Sequence, residues 1–263
     1  MGGAVSSLGH IVISGASRGL GAALARRLAA PGVTLGLLAR GEAALQAVAV
    51  ECKARGARVQ FAALDVRDAA ALSAQLLAWD AARPVDCVVA NAGISGGTRP
   101  DGAPEGHAAA AAQVAVNLLG AVNLVEPLLP RMRARGRGQV ALVASIAAFR
   151  GLPDTPAYCA SKAGLWAYGE ALRAAHGPAG IAVTVAAPGF FASAMSARYL
   201  GAKPLEISAE MAAARLHRAL LRRQARLVFP RGLAALLQGL ALLPAPLSDA
   251  LARRIRIRIA PEA

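Results

Sequence analysis

Lysine is nearly missing from this chain: Lys53, Lys162 and Lys203 are the only three, although lysine and arginine together number 29. Acidic residues are few as well, 15 against those 29, so the formal net charge of +14 rests on arginine. Cysteine is scarce and lacks metal-ligand spacing; Cys52, Cys87 and Cys159 are an odd set that argues against a disulfide framework and for reduced thiols in a cytoplasmic compartment. His10, His107, His176 and His217 are scattered, so no metal site is expected. No basic residue precedes Arg18, which argues against a secretory signal. Met1-Gly2 with Ser6 matches the N-myristoylation pattern, a match common enough to be read as chance. A charge-free stretch near the C-terminus, residues 232–248, is interrupted by Gln238, Pro244 and Pro246 and is at or below spanning length. It reads as an apolar C-terminal helix that could cover a pocket, pair with another subunit or touch a bilayer. Internal repeats and domain-separating linkers are also missing.

With 263 residues and 56% hydrophobic side chains, the chain can fill one large core. Short β-rich runs alternate with alanine-rich stretches of helical period, the pattern of stacked βαβ units. Seven strands are expected, at His10–Ser14, Val33–Leu38, Arg58–Leu64, Val85–Ala90, Gln139–Ala144, Ile181–Ala187 and Arg226–Phe229. Helices are expected near Gly19–Ala30, Glu42–Arg55, Ala69–Ala82, Ala108–Arg135, Pro156–His176, Ser208–Arg222 and Gly232–Arg254, with a Gly/Pro-rich loop at Ser95–Gly106. The expectation is a single α/β domain with a Rossmann-like, doubly wound parallel sheet over residues 1–230, and residues 231–263 as an apolar, basic helical extension of it.

The first strand runs into Ser14-Gly15-Ala16-Ser17-Arg18-Gly19-Leu20-Gly21 and then into a helix. Glycines permit a tight turn and close backbone approach, and free N–H groups at the helix start attract a pyrophosphate. The spacing is GxxxGxG, not the commoner GxGxxG, so position after the first strand is what makes it a nucleotide site. At the end of the second strand a carboxylate would bind the ribose 2′-OH of NAD and an arginine the 2′-phosphate of NADP. No Asp or Glu occurs from Thr34 to Gly41, where Arg40 stands, and Arg18 adds a second cation, so NADP(H) is favoured over two merely solvated arginines.

Tyr158 and Lys162 lie four apart in a helical segment and therefore share a face. A phenol titrates near pH 10, and a nearby ammonium favours phenolate, bringing the group toward proton exchange with an alcohol or carbonyl oxygen. In this company the pair is no longer a surface coincidence. With the glycine turn ending at Gly21, Asp65-Val66, Asn91-Ala92-Gly93, Asn117, Ser145 and Pro188-Gly189, the chain resembles a short-chain dehydrogenase/reductase over residues 10–230.

The resemblance implies an NADP-dependent oxidoreductase that interconverts a ketone or aldehyde and an alcohol by hydride transfer. It makes Tyr158 the general acid/base, Ser145 the hydroxyl that orients the substrate oxygen, and Lys162 the group that binds the nicotinamide ribose and lowers the phenol pKa. Asn117 would hold a water of the proton relay. Cofactor contacts would come from Gly15, Ser17, Arg18, Gly19, Leu20, Gly21 and Arg40, from Asp65 and Val66 at the adenine, from Asn91, Ala92 and Gly93, and from Pro188, Gly189, Phe191 and Ser193 along the nicotinamide. The alternative is a non-catalytic NADP-binding sensor or scaffold, disfavoured because all four catalytic positions are intact.

Two small departures keep a hydroxyl: Ser14 where the family has Thr, and Ser193 where it has Thr after Pro-Gly. A larger one is the ending, which lacks the family's glycine-rich segment; a homodimer is expected first and a tetramer second. Phe190, Phe191, Met195 and Tyr199 fall where the family places a substrate lid, and with the apolar tail they suggest a hydrophobic substrate. From Arg198 to Glu262 twelve basic residues face four acidic ones. That excess fits a solvated face first, an anionic membrane surface or acyl carrier second, and nucleic acid last, since no nucleic-acid motif accompanies it. The period-2 run Arg253–Ile259 is expected as a basic edge strand or a frayed end.

Overall fold

A computed structural model describes residues 8–260; the Met1-Gly2/Ser6 pattern and Glu262 lie outside them. Seven strands, β1 His10–Ser14, β2 Thr34–Ala39, β3 Arg58–Ala63, β4 Cys87–Ala90, β5 Gly138–Val143, β6 Ile181–Pro188 and β7 Arg226–Phe229, form one sheet in the order β3-β2-β1-β4-β5-β6-β7. Every adjacent pair is parallel. The expected doubly wound Rossmann-like sheet is therefore observed, with β1 and β7 at the expected residues.

The pleat of β1 explains why its run is continuously apolar. Ile11 and Ile13 enter one core with Leu35 and Leu37, while Val12 enters the other with Leu38 and Val88. The first core is covered by α1 (Gly19–Leu28), α2 (Glu42–Ala54) and α9 (Ala209–Leu221). The second is covered by α3 (Ala69–Ala82), α5 (Gly120–Val125) and α7 (Pro156–His176). A fully buried Leu contributes about 1.5–3 kcal/mol, and these layers contain many, so the sheet is clamped from both sides.

Two expected helices are broken. The stretch read as one helix from Ala108 to Arg135 consists of α4 (His107–Val114), a π-helical segment Ala115–Leu119, α5 and α6 (Leu129–Ala134). Pro127 and Pro130 remove N–H donors where the chain turns between α5 and α6. By length and composition residues 107–134 could cross a membrane; here α5 packs on the sheet. The second break is at Leu243-Pro244, which divides the C-terminal stretch into α10 (Arg231–Leu242) and α11 (Ala245–Ala252).

The tail beyond α11 is neither an edge strand of the sheet nor frayed. Ile259 forms an isolated antiparallel bridge with Tyr199, Leu200 N–H donates to Arg258 O, Ile259 N–H to Thr98 O, and Ile257 N–H to the Asp154 carboxylate. Its alternation is real: Ile255, Ile257 and Ile259 are turned inward while Arg254, Arg256 and Arg258 are exposed.

Asp80 ties α3 to α6 and to the entrance of β4. Its buried carboxylate accepts from Val85 N–H at 2.8 Å and Arg135 Nη1 at 2.9 Å, with Arg131 Nη1 at 3.5 Å. Burial alone would raise its pKa, but the hydrogen bonds from Arg135 and Val85 and the charges of both arginines hold it below the ordinary value. A depressed folded-state pKa gives stability present above the unfolded value, about 3.9, and lost as pH falls through the folded one. Asp80→Asn is expected to lower stability at pH 7 by about 2 kcal/mol in urea unfolding, with the gap to the parent protein closing below about pH 4; a gap unchanged by acid would contradict this account.

Candidate active site

Strand order reverses between β1 and β4, and in such sheets ligands bind in the crevice at the carboxyl ends of the diverging strands. Both flanks of this crevice carry residues singled out in the sequence. From β1 comes the glycine turn. Gly15 has φ +65°, and a Cβ there would lie 2.8 Å from Ala92 Cα; a Cβ on Gly21 would lie 2.2 Å from Gly15 O. Larger residues would push the turn off the helix. From β4 comes Asn91, whose side-chain amide donates to Ser14 O at 3.0 Å and Gly15 O at 3.2 Å. The Ser14 hydroxyl accepts from both Asn91 N–H and Ala92 N–H at 3.1 Å, so the serine that replaces threonine staples the two flanks together.

Helix α1 has no side-chain N-cap, and Arg18, at the capping position, is exposed. Uncapped N–H groups at a helix start are donors for an anion. The guanidinium groups of Arg18 and Arg40 have no hydrogen-bond or ion-pair partner among the described residues. The turn, the open helix end and two uncommitted cations fit a phosphorylated dinucleotide. Ser17 lies in the turn, whereas Leu20 is buried in the core, leaving only its backbone for a ligand.

The expected adenine contacts are already engaged. Asp65 receives Arg67 Nη2 at 2.7 Å and Nε at 3.1 Å, and that side-chain pairing, with the Arg67 N–H and the charge of Arg40, holds its pKa low against the effect of burial. Val66 is buried against Gly120, and its carbonyl accepts from Asn123. Arg67, two residues beyond Asp65, was missed in the sequence; it brings a third guanidinium to the end of the crevice that Arg40 occupies.

On the other side of β4, Asn117, Ser145, Tyr158 and Lys162 converge. Asn117 is fully buried in the middle of the π-helical segment. Such widened turns recur at functional sites. Its Oδ1 accepts from Ile94 N–H at 2.8 Å, and its Nδ2 donates to Ile94 O and to Ser161 Oγ, both at 3.0 Å. The side chain thus clamps the strand end to α7. Ser161 was not foreseen, although it immediately precedes Lys162; its own hydroxyl donates to Tyr158 O at 2.8 Å.

Lys162 Nζ donates to Val143 O at 2.9 Å and stands 5.8 Å from the centre of the Tyr158 ring. Gly93 leaves room for it, since a Cβ there would lie 3.5 Å from Nζ and 3.2 Å from Asn117 Oδ1. The amine is buried, and desolvation brings its pKa down to about 8. The expectation that Lys162 lowers the phenol pKa is not met in the structure. Desolvation pushes Tyr158 up to about 12, with hydrogen bonding from Ser145 working in the opposite direction. Ser145 follows β5, and its hydroxyl also accepts from Ala147 N–H at 3.2 Å.

Pro188, the last residue of β6, and Gly189 after it line a cavity beside these residues, and Gly189 N–H donates to Phe229 O. The Ser193 hydroxyl accepts from Ser196 N–H at 3.0 Å and caps α8 (Ala194–Ala197), and Phe191 bridges to Ile207. The cavity, about 610 Å³, is lined by Ser145, Tyr158 and Lys162 but not by Asn117. Its walls come from Phe190, Phe191, Met195 and Tyr199 of the expected lid, from Leu233 and Leu237 of α10, and from Ile255 and Ile257 of the tail. Among the described residues no cluster of metal-ligating side chains occurs.

Residues 9–203 match the model of the short chain dehydrogenase family. The chain belongs to that family. An uncharacterized oxidoreductase of Myxococcus xanthus is 37% identical over 246 residues, covering 93% of this chain and 96% of the relative. The ketoacyl reductase HetN of a Nostoc species is 34% identical over 183 residues, covering 68% of this chain and 62% of HetN. Among solved structures, levodione reductase superimposes with a TM-score of 0.77 at 26% identity, covering 86% of this chain and 97% of that one. As a short-chain dehydrogenase the protein is an oxidoreductase of the carbonyl/alcohol class, in a family that uses NAD(P)(H).

The chain has three tyrosines, and burial raises the pKa of each: Tyr158 to about 12, Tyr168 further through Glu126, and Tyr199. Alkaline titration of the folded, ligand-free protein followed at 295 nm should therefore show no phenolate below about pH 10. A step near pH 8 or 9 would mean that Lys162 already acidifies the phenol before any ligand binds.

Proposed function

We propose that the protein is an NADPH-dependent reductase of hydrophobic ketones. The observation that carries this reading is the meeting of Ser145, Tyr158 and Lys162 at the base of an apolar cavity, beside a turn whose arginines are uncommitted. When bound, the dinucleotide supplies the hydride. Gly15, Gly19 and Gly21 with the N-terminus of α1 would hold its pyrophosphate, and Arg18 and Arg40 the 2′-phosphate, where a guanidinium matches phosphate geometry. Asn91 to Gly93 and Pro188 to Ser193 would border it on either side.

Hydride arrival at a carbonyl carbon leaves negative charge on the oxygen. Ser145 Oγ donates a hydrogen bond to that oxygen, and Tyr158 Oη donates a hydrogen bond and then its proton. A phenol held neutral by burial is a competent acid for an alkoxide, which is a far stronger base. Lys162 Nζ, with its pKa brought down to about 8, can return a proton near neutral pH. Asn117 keeps Ile94 and Ser161 in place around this route, and any water it holds would be held beside its committed side chain. The walls around Phe190, Leu237 and Ile257 exclude bulk water and favour an apolar chain on the substrate. The similarity to a ketoacyl reductase supports the same substrate class.

Two measurements test the reading. Tyr158→Phe should still bind NADPH, seen as enhanced nucleotide fluorescence, while kcat for a long-chain ketone falls by about 100-fold or more; near-normal turnover removes Tyr158 from the mechanism. Arg40→Asp should reduce the ratio of kcat/KM with NADPH to that with NADH by about 100-fold, the worth of one or two charged hydrogen bonds. An unchanged ratio would assign the preference elsewhere.

A further inference from the structure

We propose that the corner between α10 and α11 is a docking surface for an anionic lipid bilayer. The inner face of α10 is accounted for: Ala234, Leu237 and Leu240 are buried with Ile146 and Ala187. The corner is not. Ala241 to Leu247 are seven consecutive exposed residues, and none has a polar side chain. Leu242 is 87% exposed and Leu247 51%, and Leu236 on the adjoining turn is 56% exposed. A folded domain seldom leaves such a contiguous apolar patch in water without a partner.

Charge identifies the partner. The far ends of the two helices carry Arg231, Arg253 and Arg254, followed by Arg256 and Arg258 on the exposed side of the tail. Asp249, the one acidic residue from 231 to 260, is held by Arg150 at 2.5 Å. A second copy of the chain seated on this face would bring two basic clusters together, whereas phosphate-bearing headgroups attract each arginine by about 1 kcal/mol. The dimensions also agree. Helices of 12 and 8 residues separate the apolar tip from the arginines by about 12–18 Å. A tip sunk about 5–10 Å into the interface, below a headgroup layer of about 5–7 Å, places those arginines among the phosphates.

The same hairpin forms a wall of the cavity through Leu233, Leu236 and Leu237, with Arg254 beside them. Docking would therefore bring the cavity against the phase in which an apolar ketone is dissolved. That consequence rests on the reductase reading; the docking does not.

The test mixes the full chain with vesicles of phosphatidylcholine alone, or of phosphatidylcholine and phosphatidylglycerol in equal parts, and measures co-sedimentation. Binding to the anionic vesicles should be about tenfold or more tighter than to the neutral ones and should weaken as salt is raised. The double variant Leu242→Asp/Leu243→Asp should lose vesicle binding while keeping its melting temperature and its NADPH-dependent reduction of a short, soluble ketone. Failure of the parent protein to bind, or equal binding by the double variant, overturns the proposal. So does light scattering that shows a parent dimer split by the double variant. Vesicle binding without any ketone reduction would sustain the docking and remove only the reductase reading.

Discussion

The buried amine of Lys162, fixed to the Val143 carbonyl, is the constraint on which the site depends. An ammonium deep in a protein is costly unless it is paired, and this one donates to a neutral carbonyl. The same burial makes the phenolate of Tyr158 unfavourable. Burial thus acts against both charges, bringing the amine down to about 8 and the phenol up to about 12. In the proposed reaction a carbonyl oxygen gaining charge would accept from Tyr158 and Ser145, and donors already fixed in place need little reorganisation as that charge grows.

Holding the amine there requires other elements to be in register. Val143 ends β5, Lys162 lies on the second turn of α7, and Gly93 at the end of β4 leaves the space between them. Asn117 and Ser161 complete the frame by joining the β4 end to α7. The π-helical widening around Asn117 thus has a structural purpose, since it lets a residue on a core helix reach the strand end. On the opposite flank Ser14 and Asn91 perform the equivalent joining of the glycine turn to β4.

Local pattern made much of this legible. The residue ranges of β1, β7, α3 and α7 follow from periodicity and punctuation alone, and Tyr158 and Lys162 share a face because of helical spacing. Where the sequence misled, the cause was non-local or was masked by a strong period. An alanine-rich apolar run looks the same whether its turns are α or π, so the segment around Asn117 could not be distinguished, although Pro127, Pro130 and Pro244 did mark the breaks that were read through. The acidification of Tyr158 by its neighbour was inferred from charge alone; burial, which acts on both groups and opposes it, is a property of the packed fold. Arg67 on Asp65 is a local pair two residues apart, but its rotamer is chosen by the surroundings.

The tail shows best why distance along the chain limits such readings. Its alternation was visible, yet the surfaces that receive it lie about 60 to 160 residues away, at Tyr199, Asp154 and Thr98. A four-residue helix such as α8 cannot sustain itself, because helix nucleation costs more than so short a segment returns. Its surroundings must hold it. Part of that hold comes from the tail, through Leu200 N–H to Arg258 O, Ala260 N–H to Arg198 O and Tyr199 Oη to Arg256 O at 2.9 Å. These hydrogen bonds join the segment around α8 to the last residues described, and Ile255 and Ile257 of the same tail line the cavity. The family model matches residues 9–203, which include the wall residues Phe190 to Tyr199 but not Leu233, Leu237, Ile255 or Ile257 on the other side of the cavity.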